Sequence, residues 1–562
     1  MLISDVNQKL IFSLGLFLAC LVFSSLSGCG SLTSNTEPLA KPMPLFDNLG
    51  AHHYPVSTSV PDAQRYFDQG LILAFGFNHS EAARSFREAY RLDPDCALCY
   101  WGEALVLGPN INAPMDPSIA PQAYKSVQES QALAKSATDK EQALISALAK
   151  RYSKTAPVNR QSLDEAYAAA MRDVARHFPE DAVIAALFAE SLMDLHPWNF
   201  WTKQGESQPW TPEIVATLER AIEIDANNPL ANHLYIHVME ASPYAAKALP
   251  SAQRLPSLVP SSGHLVHMPA HIYIRVGRYR DAILANQRAV KIDQGYLSHA
   301  HAESIYTVAY VPHNYHFLWA AAIKTGQKQL ASKAAADTAA QVKSELLREP
   351  GLSGTLQHFY TIPLYTKALF GEWDAILSAS SPPADLLYPA GVWHYARGLA
   401  LLRKGKPDES ARELEQLEKI INDPTIATLA IFELNPVTRI LQIAEDVLRG
   451  ELAAQNKDYD KAVSHLQHAI RLEDELNYTE PKDWYLPPRQ ALGAILLESG
   501  KVREAEQAYR QDLVYHPQNG WSLFGLALSL KEQGKNREAD DVKQQFEAVW
   551  ADADVTLTGS RF

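Results

Sequence analysis

A chain of 562 residues with 47% hydrophobic, 20% charged and 9% aromatic side chains has ample apolar content for large cores, which excludes global disorder. Its formal charge is −13 and no long basic tract stands out, so nucleic acid is not an expected partner. Four cysteines are too few for a disulfide-built scaffold, and period-two alternation is scarce, which argues against an all-β fold.

Residues 10–23 form an apolar run of 14 residues. A membrane span needs about 20, so the run reads as the core of a secretory signal. Lys9 is the only positive charge ahead of it, and Asp5 weakens the usual basic start. Leu26-Ser27-Gly28-Cys29 follows and resembles a bacterial lipobox. The resemblance implies cleavage before Cys29 and lipid (palmitate) on its sulfur. Gly30, standing where an Asp would retain the protein at the inner membrane, implies the outer membrane, with the body facing the periplasm. An uncleaved anchor would leave the body on the same side. Ser, Thr, Pro and Asn crowd residues 30–46, as in a flexible tether. The expected organisation is a signal peptide at 1–28, a tether at 29–55, an N-terminal array at 56–350 and a C-terminal array at 351–562.

The body repeats itself. In residues 63–96, Tyr66, Gly70, Ala82, Phe86, Ala89 and Pro94 stand at spacings that resemble the tetratricopeptide repeat, an antiparallel helix pair. Gly70 and Ala82 are small where two helices cross, Phe86 and Ala89 share a helix face, and Pro94 ends the second helix. The frame recurs with Ala270, Gly277, Ala282 and Ala289; with Gly398 and Gly405; and with Gly450, Ala462 and Ala469. It recurs again with Gly493, Gly500, Ala505 and Pro517, and with Ala527, Gly534 and Ala539. Weaker units cover 200–262 and 312–345, and 130–195 is helical by pattern without a frame. The predicted fold is an all-α tetratricopeptide solenoid with a concave groove.

Nine of the 19 histidines fall between 233 and 316. In tetratricopeptide arrays the second, fifth and ninth residues of each first helix face the groove. Those places hold His264, His267 and His271 in one unit and His313, His316 and Ala320 in the next. In the unit before they hold His233, Ile236 and Glu240, with His237 one residue off the line. Imidazole ligates Zn, Cu and Fe at neutral pH. The i, i+4 pairs His233/His237 and His267/His271 bring two rings to one ion, whereas His264 and His271 are about 10 Å apart in helix rise. Glu240 is the candidate carboxylate ligand or general base. No Glu directly follows His233 or His267, so the zinc-protease helix is absent, as is a Gly-x-Ser-x-Gly nucleophile. The competing reading of the column is a metal-free groove that grips an envelope protein or peptide. The insertion Gly295–Val311 adds His299, His301 and Glu303, either as a lid over the groove or as a solvated connector.

Cys96 and Cys99 open a helix. They can form a disulfide, stay buried as thiols, or join His79 around a metal. Tyr100 in place of a His excludes covalent haem. Asn110 and Asn112, in Gly108–Met115, suit turn chemistry. The C-terminal groove places, among them Val392, Tyr395, Gln490, Trp521 and Phe524, are mostly apolar and suit docking. Finally, the strings at 75–86, 96–115, 232–242, 263–279 and 312–321 resemble segments of a family of bacterial tetratricopeptide lipoproteins. The resemblance implies the fold and the secreted location and no particular activity.

Overall fold

The computed structural model describes residues 43–297 and 304–562. The apolar run, Cys29 and the insertion's His299, His301 and Glu303 lie outside the described residues. Among the described residues no helix is long and apolar enough to cross a membrane.

The body is an all-α array of antiparallel helix pairs. Its strands, among the described residues, are the two-residue pair Ala430–Ile431 and Asn435–Pro436. The repeat logic is visible at Pro61–Phe75 and His79–Leu92. Phe86 is fully buried, and its ring lies 2.6 Å from where a Cβ on Gly70 would stand and 2.4 Å from one on Gly102. One ring therefore fills the gap that two missing side chains leave. Tyr509 does the same between Gly493 and Gly525, so Gly525, two residues before the expected Ala527, is the small residue at that crossing. The unframed stretch is helical too. Its helix Asp139–Leu148 starts at a capping box of Thr138 and Glu141, and Glu141 also accepts from the Ser57 N–H at 2.7 Å. The expected tether is packed from Met43 onward, with Met43 and Tyr54 buried.

The apolar core falls into two large clusters. One is drawn from residues 43–315 and the other from 270–557, so they overlap along the histidine-bearing helices. The end of the chain folds back on that middle region. Trp521 Nε1 donates to Ile323 O at 2.7 Å. Gly277 (φ 75°) lets residues 517–518 approach, since a Cβ there would meet Pro517 O at 2.6 Å.

Candidate metal centre

The helix Pro229–Glu240 is capped by Asn228, which accepts from the Ala231 N–H at 2.9 Å, and all of its residues are buried. His233, His237 and Glu240 recur at helical spacing and share one side of it. The next first helix comes in two pieces, Gly263–His267 and Pro269–Arg275, broken where Pro269 lacks an N–H to donate. It carries His264, His267 and His271. A π-helical turn, Tyr306–Tyr310, leads into Val311–Lys324, which brings His313. Such turns are frequent at functional sites.

Six of these rings form two triads. His233, His237 and His264 each place one nitrogen within 4.8 Å of the others, and so do His267, His271 and His313. Both i, i+4 pairs meet as their spacing predicts, and His264 crosses to the triad of the preceding helix. Within the triads, Nε2 of His233 and His264 are 3.2 Å apart, and Nε2 of His267 and His271 are 2.9 Å apart. Two nitrogens bonded to one ion at about 2.0–2.1 Å sit about 2.9–3.4 Å apart for angles between square and tetrahedral.

The outer nitrogens explain this arrangement. His233 Nδ1–H donates to Phe75 O at 2.7 Å. His267 Nδ1–H donates to Asn286 Oδ1 at 2.7 Å, and the amide is oriented by its own donation to Ala282 O. His237 Nδ1–H donates to one oxygen of Glu240 at 2.8 Å, and His271 Nδ1–H donates to the other. With Nδ1 protonated in each of these four rings, every Nε2 is a lone pair. Nε2 of His267 and Nε2 of His271 therefore face each other at 2.9 Å with the outer nitrogen of each ring already engaged. In the first triad His237 Nε2 and His264 Nδ1 are buried without a hydrogen-bond partner.

A proton could bridge such lone pairs, but burial holds His233, His264, His267 and His313 well below the ordinary imidazole range, and neighbouring imidazoles push the same way. Burial would raise Glu240. The nearby His271 and the Nδ1–H donors overcome it and hold this carboxyl down at about 2. Burial thus keeps His233, His264, His267 and His313 neutral beside an ionised carboxylate, the kind of donor set that transition metals take.

Aromatic rings close the centre. Phe77 lies 4.7 Å from His233, 5.9 Å from His237 and 5.6 Å from His264. Phe317 lies 4.5 Å from His267 and 4.4 Å from His271. Phe77 adopts φ 56°, uncommon for a bulky residue and held here by its surroundings. His313 is the half-buried member.

Several expectations change. The histidines do not line an open groove: five of the six triad rings are at most 3% exposed, because Phe77, Tyr310 and Phe317 fill the space in front of them. His316 joins neither triad and faces His358. Glu240 is neither ligand nor exposed base. It sits behind the rings with both oxygens on Nδ1 atoms, and Tyr478 Oη lies 3.2 Å from one of them. Cys96 and Cys99 are joined in a disulfide, which leaves no thiolate for a metal, and His79 meets Asn110 instead. Asn110 makes a turn by accepting from the Asn112 and Ala113 N–H groups. Asn112 donates to Tyr310 Oη at 2.9 Å, beside His264. Phe77, Asn286 and Tyr478 carry no sequence signal for these roles.

A buried network ties the histidine segments together. Asp293 accepts from Tyr306 Oη at 2.9 Å and from Asn314 Nδ2 at 2.6 Å, and Tyr306 Oη accepts from the His264 N–H at 3.1 Å. A Cβ on Gly263 would stand 1.9 Å from Asp293 Oδ1. Gly263→Ala is therefore expected to cost about 1–3 kcal/mol by overpacking and to loosen His264 first. Thermal unfolding read beside metal content checks this; unchanged stability would mean that Asp293 yields freely.

No family model matches the chain, and no curated protein matches its sequence. Solved structures give distant likenesses. The human IFIT1 dimer with m7Gppp-AAAA is 13% identical over 88% of this chain and 92% of that one, with a TM-score of 0.33. Yeast Tom70 is 13% identical over 86% and 92%, at 0.27. The P58(IPK) TPR domain is 13% identical over 85% and 99%, at 0.22. At these scores the fold rests on the chain's own helix pairs.

Proposed function

We propose that this is a lipid-anchored, periplasm-facing metalloprotein in which each histidine triad holds a transition-metal ion, and that it acts on a small molecule as a metal-dependent hydrolase or oxidoreductase. The observation that carries the reading is the pair of Nε2 atoms turned toward each other at 2.9 Å, with both outer nitrogens already hydrogen-bonded elsewhere. A buried cation is the natural partner for such a pair. His233, His237 and His264 would hold one ion, and His267, His271 and His313 the other. An all-imidazole donor set suits Zn, Cu or Fe. Three protein ligands per ion leave a position for water or substrate, which supplies an activated water or electron-transfer chemistry.

The location rests on the apolar run and the Leu-Ser-Gly-Cys29 string, with lipid on Cys29 as the outer-membrane anchor. The Cys96–Cys99 disulfide supports an oxidising compartment. Binding of an envelope protein or peptide, the other use of such an array, would have to employ residues other than these buried rings.

Elemental analysis of the full chain, purified in detergent without a histidine tag, tests the reading. Close to two zinc ions per chain are expected after refeeding with zinc, falling to about one in His267→Ala/His271→Ala as that triad drops below three ligands. No uptake of Zn, Cu or Fe after refeeding would overturn it.

A further inference from the structure

We infer that His316 and His358 form a third metal site, a two-nitrogen site for a monovalent d10 cation such as copper(I) or silver(I). His316 lies one turn beyond His313 on Val311–Lys324, and His358 lies on Ser353–Leu369. Both are fully buried, at 0% and 1% exposure, and their ring centroids are 5.3 Å apart. Neither nitrogen of His316 has a hydrogen-bond partner, and neither does His358 Nε2. An imidazole always carries at least one N–H, so His316 buries an unsatisfied donor and an unsatisfied acceptor. Burying such groups unpaired is unfavourable.

His358 Nδ1 is 2.9 Å from Tyr388 Oη, which is 3.2 Å from Tyr365 Oη. The tautomer that donates Nδ1–H to Tyr388 leaves Nε2 as a lone pair. That is the outer-partner pattern of a ligating histidine. The walls choose the ion. Trp319 stacks on His316 at 5.2 Å, Phe359 lies 5.4 Å away, and the hydrogen-bond partner of the pair is a neutral phenol. Among the described residues no carboxylate is bonded to the rings, so the charge of a divalent ion would lack compensation there. A monovalent one halves that charge and needs few ligands. This site stands on its own atoms and does not require the triads to be filled.

Silver(I) is the probe, because it stays monovalent without a reductant. The full tag-free chain and its His358→Ala variant are titrated with silver(I) in chloride-free buffer, and with zinc(II) separately. The expected result is one silver ion fewer per chain in the variant and equal zinc in both. Equal silver in two folded proteins overturns the site and leaves a bridging water between the rings. Should the variant not fold, silver-soaked wild-type crystals decide. An anomalous peak between the two rings supports the site, and saturation without one overturns it. Failure of the triads would show separately, as absent zinc uptake by wild type.

Discussion

Glu240→Gln is expected to weaken metal binding at both triads together. One carboxylate serves both, through His237 on one side and His271 on the other. An amide has one acceptor oxygen, so one Nδ1–H keeps its partner and the other meets an NH2 group. That second ring must turn, or move its proton to Nε2, where the ion would bind. Loss of such an outer partner typically costs about 10–100-fold in metal affinity. The expectation is a loss of that size at one triad and a smaller one at the other, with Glu240→Ala severe at both. Competition titration against a chelator reads the two steps, and circular dichroism verifies the fold. Unchanged affinity at both triads would remove Glu240 from the support of the centre.

Removing metal should make the fold markedly easier to melt. A ligand that binds only the native state at 100 times its dissociation constant adds about 2.7 kcal/mol, and two independent ions add about twice that. The stripped protein keeps two Nε2 atoms crowded at 2.9 Å and a buried His237 Nε2 without a partner, an unfavourable arrangement. Melting curves with chelator, and again after metal is returned, should differ by an amount that grows with free metal. His267→Ala/His271→Ala should show about half the difference, as expected for one ion fewer. Identical curves would mean that the native state has no preference for the ion.

How far the sequence led is clear from particular residues. Gly70 and Phe86 announce the helix pair because small and large side chains must alternate at a close crossing, and that rule is local. The pairs His233/His237 and His267/His271 were legible because helical spacing alone brings them together. The regrouping of His264 was not, since it depends on which neighbouring helix its ring reaches. The open groove was wrong because a repeat frame gives the direction of a side chain and not what lies in front of it. Here Phe77 arrives from a loop that precedes His233 by more than 150 residues. The role of Glu240 was misplaced for the same reason: a carboxylate one turn beyond a histidine can face the ion or stand behind the ring, and only the packed neighbours decide.

The carbonyl of Phe75 binds a ring 158 residues further along, and Tyr478 reaches back 238 residues to Glu240. The two triads and the rings that cover them are complete once residues 75–317 have folded, and only the contact from Tyr478 to Glu240 waits for the later part of the chain. An ion held there as proposed would be chosen by which metals are abundant where the chain completes its fold.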